Sequence, residues 1–262
     1  MAIRSIELKD FTAFHAARLD LSRGVNVLVG RNGTGKTHVM KAAYAVARAA
    51  APDSTLSVGQ KLALVFRPDE GQLGRLGHRR PGQKTTTLRV NDDRGGTVSV
   101  RITTSTSRTA ADVTSFVAPA AVFLPSREGL AMFEGFAATY QKRELSFDET
   151  YYDLAMALAV PALRGALPAA LKQIGADLEK ALGGKVLLDG PRFYLRGAGG
   201  SKLEAHLMSE GMRKLASILR LLQNGELRST GLLLWDEPEA NLNPHLTVLV
   251  ACALARLAAN NV

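Results

Sequence analysis

The sequence predicts an α/β protein with a mixed central sheet, an antiparallel β lobe and a helical lobe. Three observations predict it. An apolar run, Val25-Asn26-Val27-Leu28-Val29, leads into a glycine-rich turn and then a stretch suited to a helix. Two alternating segments, residues 85–90 and 97–103, flank the turn-forming Asn91-Asp92-Asp93-Arg94-Gly95-Gly96. A second apolar run, Leu232-Leu233-Leu234-Trp235, ends in two carboxylates, the pattern of a buried parallel strand delivering side chains to a sheet's carboxyl edge.

Taken in order, Ile3, Ile6, Leu8, Phe11 and Phe14 mark a first strand and a turn, and residues 25–29 a second strand. Residues 37–50, rich in Ala, Met and Val without Gly or Pro, predict a helix. Residues 51–84 carry Gly59, Gly71, Gly74, Gly77, Pro68 and Pro81 and read as strand fragments and loop. Residues 121–124 form a short buried strand ending at Pro125, and residues 128–182 are mostly helical with breaks near Pro161 and Pro168. A hairpin over residues 185–188 and 192–195 follows. The helix at 211–223 carries Met212, Leu215, Ile218, Leu219 and Leu222 on one face, and residues 245–259 form the last helix.

The chain has 262 residues, 46% hydrophobic and 22% charged, which excludes disorder as its dominant state. Its net charge of +9 favours polyanionic partners, nucleotides and nucleic acid alike. The single Cys252 excludes an intramolecular disulfide and a cysteine zinc site, and its Ala-rich setting predicts a buried thiol. The opening residues lack a signal peptide's apolar region, and the apolar run at 246–259, broken by Arg256, is shorter than the ~20 residues a membrane span needs. A cytoplasmic protein without membrane attachment is expected.

Gly30-Arg31-Asn32-Gly33-Thr34-Gly35-Lys36-Thr37 fits G-x-x-x-x-G-K-[ST] at every fixed position. Glycines let a backbone wrap phosphate oxygens, and the helix behind them adds a favourable dipole. Lys36 is expected to pair with the β- and γ-phosphates of ATP, Thr37 to bind Mg²⁺, and the whole loop with His38 to form the nucleotide site. At the end of the second apolar run, Asp236 is expected to hold Mg²⁺ and Glu237 to orient or deprotonate the attacking water. Met208-Ser209-Glu210-Gly211-Met212 precedes an amphipathic helix; Ser209 can cap it, and Gly211 permits a close backbone approach.

In this order the three motifs resemble those of ABC-type ATPases: Walker A at residues 30–37, a signature motif at 209–212, and Walker B with its glutamate at 232–237. Pro238-Glu239-Ala240-Asn241-Leu242-Asn243-Pro244 resembles the D-loop, and the opening strand is similar to the SMC and RecF-like branch. The wording of the later motifs is close to bacterial AAA-type, OLD-like ATPases of that branch, many of them linked to antiviral defence. The resemblance covers nearly the whole chain as one ATPase head: an N-terminal lobe (1–127), a helical insertion and hairpin (128–200), and the later motifs (201–262).

It implies a head-to-tail homodimer, or a higher even oligomer, around ATP and Mg²⁺. Ser209 and Gly211 would then touch the γ-phosphate held by Lys36 of a second copy, with Asn241 at the seam. The family's Q-loop glutamine has no counterpart here; Ser126, Arg127 or Glu128 stands in its place, unless Ser126 caps a helix. Phe14 or His15 could stack on adenine, although Phe11 and Phe14 suit the core. The resemblance also implies a later strand ending in a switch histidine; the sequence ends at Asn260-Asn261-Val262, and His245 falls too early for that role. A longer chain, a partner or another residue would complete the site.

The short segment between Arg127 and Ser209, broken by two prolines, excludes the long coiled coil of chromosome-organising relatives. An effector would be a separate protein. The basic residues Arg67, Arg75, His78, Arg79, Arg80 and Lys84 could contact a DNA backbone, but no aromatics interleave them. The stretch around Lys142, Arg143, Glu144 and Phe147 to Tyr152 suits packing or docking. Two other readings are the ATP-binding subunit of a membrane transporter, and a nucleotide-sensing scaffold that hardly hydrolyses.

Overall fold

A computed structural model describes residues 2–78, 82, 84–106, 108–143, 145–227 and 231–262. The chain divides into two compact units, Met1–Ala121 with Thr230–Leu234, and Val122–Ser229 with Trp235–Val262.

The first unit is built on a five-stranded antiparallel sheet. Its strands are β1 (Ile3–Phe11), β2 (Phe14–Asp20), β3 (Thr85–Asp92), β4 (Thr97–Thr103) and β5 (Thr109–Thr114), in the order β2-β1-β3-β4-β5. The β3–β4 hairpin pairs Leu88 with Val100 and Val90 with Val98, so its apolar residues share one face. Ile6, Leu8, Leu88, Val90, Val98, Val100 and Ile102 are all buried. Two helices of this unit, α1 (Lys36–Ala49) and α2 (Val58–Phe66), supply Ala42, Ala43, Tyr44, Val46, Leu62 and Val65 to the same core.

Helix α2 corrects the expectation of strand fragments and loop. Ser57 and Gln60 form a reciprocal capping box, each side chain accepting the other's backbone N–H. Gly59, which looked like a breaker, sits in the first turn because the chain passes close by. A Cβ there would lie 2.6 Å from Thr109 Oγ1.

The expected strand at 25–29 does not form. Val25, Val27 and Val29 are 49%, 74% and 88% exposed. Asn26 gives the reason: its side-chain oxygen accepts from the Ser22 N–H at 2.9 Å while its amide donates to the Ser22 and Gly24 carbonyls. Such local bonding competes with a strand ladder.

β6 (Ala120–Leu124) and β10 (Gly231–Trp235) make a two-stranded sheet, and the Asp236 N–H donates to the Leu124 carbonyl at 2.9 Å. β10 is half-buried along its length, not the enclosed central strand its three leucines predict. The second unit holds the helices α3 (Phe136–Lys142), α4 (Glu149–Ala159), α5 (Ala169–Leu182), α6 (Glu210–Gln223) and α7 (Pro244–Ala259), with a three-stranded antiparallel sheet of β7 (Gly184–Asp189), β8 (Arg192–Gly197) and β9 (Lys202–Glu204). Helix α3 begins ten residues after Ser126, which therefore caps no helix.

Helix α6 is the centre of this unit. Leu215, Ile218, Leu219 and Leu222 are almost fully enclosed by α4, α5 and β7, each burial contributing about 1.5–3 kcal/mol. Cys252 is exposed and not the buried thiol expected. Helix α7 buries Val250, Ala253 and Leu257, and position 252 falls off that stripe.

Candidate functional site

In the first unit the glycine-rich loop runs directly into α1. Gly33 and Gly35 adopt φ of +80° and +94°, values that cost any residue with a Cβ. Gly35 is the N-cap of α1 and offers no side chain to its free N–H groups. Against it lies Phe14: a Cβ on Gly35 would sit 2.7 Å from the ring. Thr34 Oγ1 donates to the Arg31 carbonyl at 2.8 Å, which tightens the turn. Residues 30–34 are exposed, and the Lys36 ammonium donates to the Gly30 and Arg31 carbonyls at 2.7 and 3.0 Å. Left-handed glycines, an uncapped helix start and a lysine reaching back over the loop fit a phosphate group.

His38 sits one residue beyond Thr37. Its ring lies 5.7 Å from that of Phe66, and its Nδ1 is buried with no hydrogen-bond partner among the described residues. Burial, and then the charge of Lys41, hold it below the ordinary histidine pKa. Phe11 is fully buried, as expected for core, whereas Phe14 is half-buried on the loop. His15 is exposed and bonds the buried Asp10 through Nδ1 at 2.7 Å.

The second unit brings together Ser209, Gly211, Asp236, Glu237 and Asn241. Ser209 caps α6, its Oγ accepting from the Met212 N–H at 3.4 Å. A Cβ on Gly211 would lie 2.8 Å from the Asn241 carbonyl oxygen, so the close approach expected there is made by the D-loop turn. Asp236 is 9% exposed, whereas Glu237 is exposed and holds its backbone at φ +50°. Asn241 is left-handed too, at +62°.

Three residues of this cluster were not singled out from sequence. Lys214 is 3% exposed and donates to the carbonyls of Glu237 at 3.0 Å and Ala240 at 2.8 Å. A lysine in step with Gly211, Leu215 and Ile218 on a buried helix was the signal available. Arg213 pairs with Glu128 and also donates to the Met208 carbonyl. Glu128 thus anchors α6, and its second oxygen accepts the Leu130 N–H at 2.8 Å. Tyr151, beside Arg127 and Asp236, has its phenol pushed above the ordinary range, chiefly by burial.

Of the basic stretch, Arg75 pairs with Asp69 and His78 Nδ1 lies 3.0 Å from the Thr12 carbonyl; Arg79 and Arg80 fall outside the described residues, as does Glu144. The aromatic stretch packs on itself: Tyr140 stacks on Tyr152 at 5.0 Å, and Phe147 meets Phe136 and Tyr151 edge-on.

Two family models match, one described as "AAA ATPase domain" over residues 1–86 and one as "AAA domain, putative AbiEii toxin, Type IV TA system" over residues 136–262. The DNA replication and repair protein RecF of Enterobacter sp. (strain 638) is 30% identical over 135 residues, 52% of this chain and 36% of RecF. RecF of Klebsiella pneumoniae matches to the same extent. The chain thus spans about a third of the length of these curated relatives.

Among solved structures, an Smc head bound to the C-winged helix domain of ScpA covers 98% of this chain and 86% of its own, with a TM-score of 0.64 and 16% identity. The Smc head domain of Pyrococcus furiosus gives 0.61 at 15% identity, covering 99% of this chain and 87% of its own. The fold is that of an SMC head, an α/β fold with an antiparallel strand lobe and helices. Motifs, family models and fold together support a P-loop ATPase of the SMC/RecF branch, and they do not favour a transporter subunit. No helix among the described residues is long and apolar enough to cross a membrane.

Proposed function

We propose that the chain is an ATP-binding and ATP-hydrolysing head that dimerises around ATP and Mg²⁺ and controls a separate effector or DNA-associated partner, in antiviral defence or DNA surveillance. The observation that carries the reading is the loop at residues 30–37, whose left-handed Gly33 and Gly35 feed an uncapped helix start beside Lys36. On this reading Lys36 neutralises the β- and γ-phosphates and Thr37 and Asp236 serve Mg²⁺. Glu237 orients the attacking water, and Ser209 with Gly211 addresses the γ-phosphate of a second copy. Bound Mg²⁺ would supply charge neutralisation on the phosphates. The second family model, with its putative toxin of a type IV TA system, supports the defence role, and the ScpA-bound Smc head supports a separate protein partner.

Steady-state phosphate release from ATP, with Lys36→Ala in parallel, tests the activity. Turnover lost in the variant is expected; equal turnover in both proteins would defeat the assignment. Light scattering of Glu237→Gln with saturating ATP and Mg²⁺ tests the dimer, and a monomer there would remove that part of the reading. Tight ATP binding without phosphate release would favour the sensing scaffold.

A further inference from the structure

We propose that Lys214 is a positioning residue that locks the turn carrying Glu237 onto the signature helix. An ammonium has three N–H donors and no acceptor, and burying one is costly unless fixed acceptors meet it. Here two main-chain carbonyls do, at 3.0 Å (Glu237) and 2.8 Å (Ala240). Both belong to one tight turn, closed by the Ala240 N–H donating to the Glu237 carbonyl at 3.1 Å and followed by Leu242 N–H donating to Glu239 at 3.2 Å.

The lock has something to hold. Glu237 and Asn241 are both non-glycine residues in the left-handed region, a conformation that persists only when its surroundings enforce it. The Glu237 carbonyl, pinned by Lys214, belongs to the residue whose φ aims the exposed Glu237 side chain. Gly211, one helical turn before Lys214, presses the same turn from its far end through the Asn241 carbonyl. Burial pulls the Lys214 amine below its ordinary pKa, while Glu210, Glu237, Glu239 and Asp236 oppose that pull. Those four carboxylates favour the charged donor that the two carbonyls require.

The functional consequence rests on the ATPase reading above. Ser209 and Glu237 would both act on nucleotide phosphates, so Lys214 would couple the two residues through one helix.

Two measurements on the full chain test this. Hydrogen exchange without nucleotide should show the amides of Ala240 and Leu242 opening roughly tenfold faster in Lys214→Met, with Leu219 in α6 unchanged. Lys214→Gln, which keeps an amide donor, should fall between. If Lys214→Met loses protection at Leu219 as well, Lys214→Gln decides: faster exchange confined to the turn supports the lock. Unchanged exchange at Ala240 and Leu242 overturns it. In steady state, kcat should fall about ten- to a hundredfold with KM for ATP within about twofold, as misplacement of a catalytic group does. A raised KM at unchanged kcat would overturn the positioning role. Absence of turnover in the parent protein would defeat the ATPase reading alone, because the exchange measurement still decides on the lock.

Discussion

Gly211 and Asn241 meet backbone to backbone: a Cβ on the glycine would stand 2.8 Å from the asparagine's carbonyl oxygen and 3.1 Å from Leu242 Cδ2. The nearer neighbour is main chain, so the turn itself must move. Gly211→Ala is expected to cost ~1–3 kcal/mol by overpacking and to lower phosphate release. ATP binding should persist, since the 30–37 loop belongs to the other unit. Thermal unfolding together with fluorescent-nucleotide titration checks both halves.

Gly35 faces two separate obstacles to a side chain. Its φ of +94° is one, and the Phe14 ring at 2.7 Å is the other. Gly35→Ala should weaken ATP binding by about tenfold or more, given ~1–2 kcal/mol for the left-handed backbone alone. Adding Phe14→Ala removes the clash and leaves the backbone term. Partial recovery in the double variant, measured by nucleotide titration, is the expected result; full recovery would mean that sterics alone matter.

Glu128 and Arg213 form an ion pair whose side chains are 7% and 17% exposed. Removing one partner from a buried pair costs about 3–5 kcal/mol, because the other charge stays behind. Glu128→Ala, with Arg213 slightly open to water, should lie near the lower figure, or roughly 6–12 °C in melting temperature. The double variant with Arg213→Met should recover part of that loss.

The pH response of stability has a definite sign at His38. Burial depresses its pKa below the ordinary histidine value of about 6.5, so just below that value the unfolded chain binds more protons than the folded one. Stability should therefore fall as the pH drops through 6.5 and level off below the folded-state pKa. Melting between about pH 7.5 and 5.5 should show a steeper decline for the parent than for His38→Gln. Parallel slopes would mean that His38 does not contribute to the decline.

Elements with strong local chemistry were legible in the sequence. The β3–β4 hairpin, α1, α6 and α7 follow from turn residues and apolar spacing, and Ser209 caps α6 as its position predicts. Elements decided by neighbours were not. The valines at 25–29 alternate as a strand does, yet Asn26 bonds locally and the segment stays open. Helix α2 was obscured by Gly59, whose place depends on Thr109 lying beside it, although Ser57 and Gln60 already carried a capping signal. β5, exposed at every position, has no apolar rhythm to betray it. At the site the motif residues could be named but not the supports, because pairing Lys214 with two carbonyls or Arg213 with Glu128 depends on tertiary contacts.

The lysine of the glycine-rich loop has a further implication. Its ammonium rests on the Gly30 and Arg31 carbonyls, so its charge is already answered by its own loop. A phosphate that takes Lys36 gains only the difference between an anionic acceptor and two neutral ones. It also frees two carbonyls that then need water or another donor. On the proposed reading the loop would therefore select by charge: a neutral acceptor would gain nothing over the internal partners, whereas a polyphosphate, with several anionic oxygens, would gain enough to rearrange them.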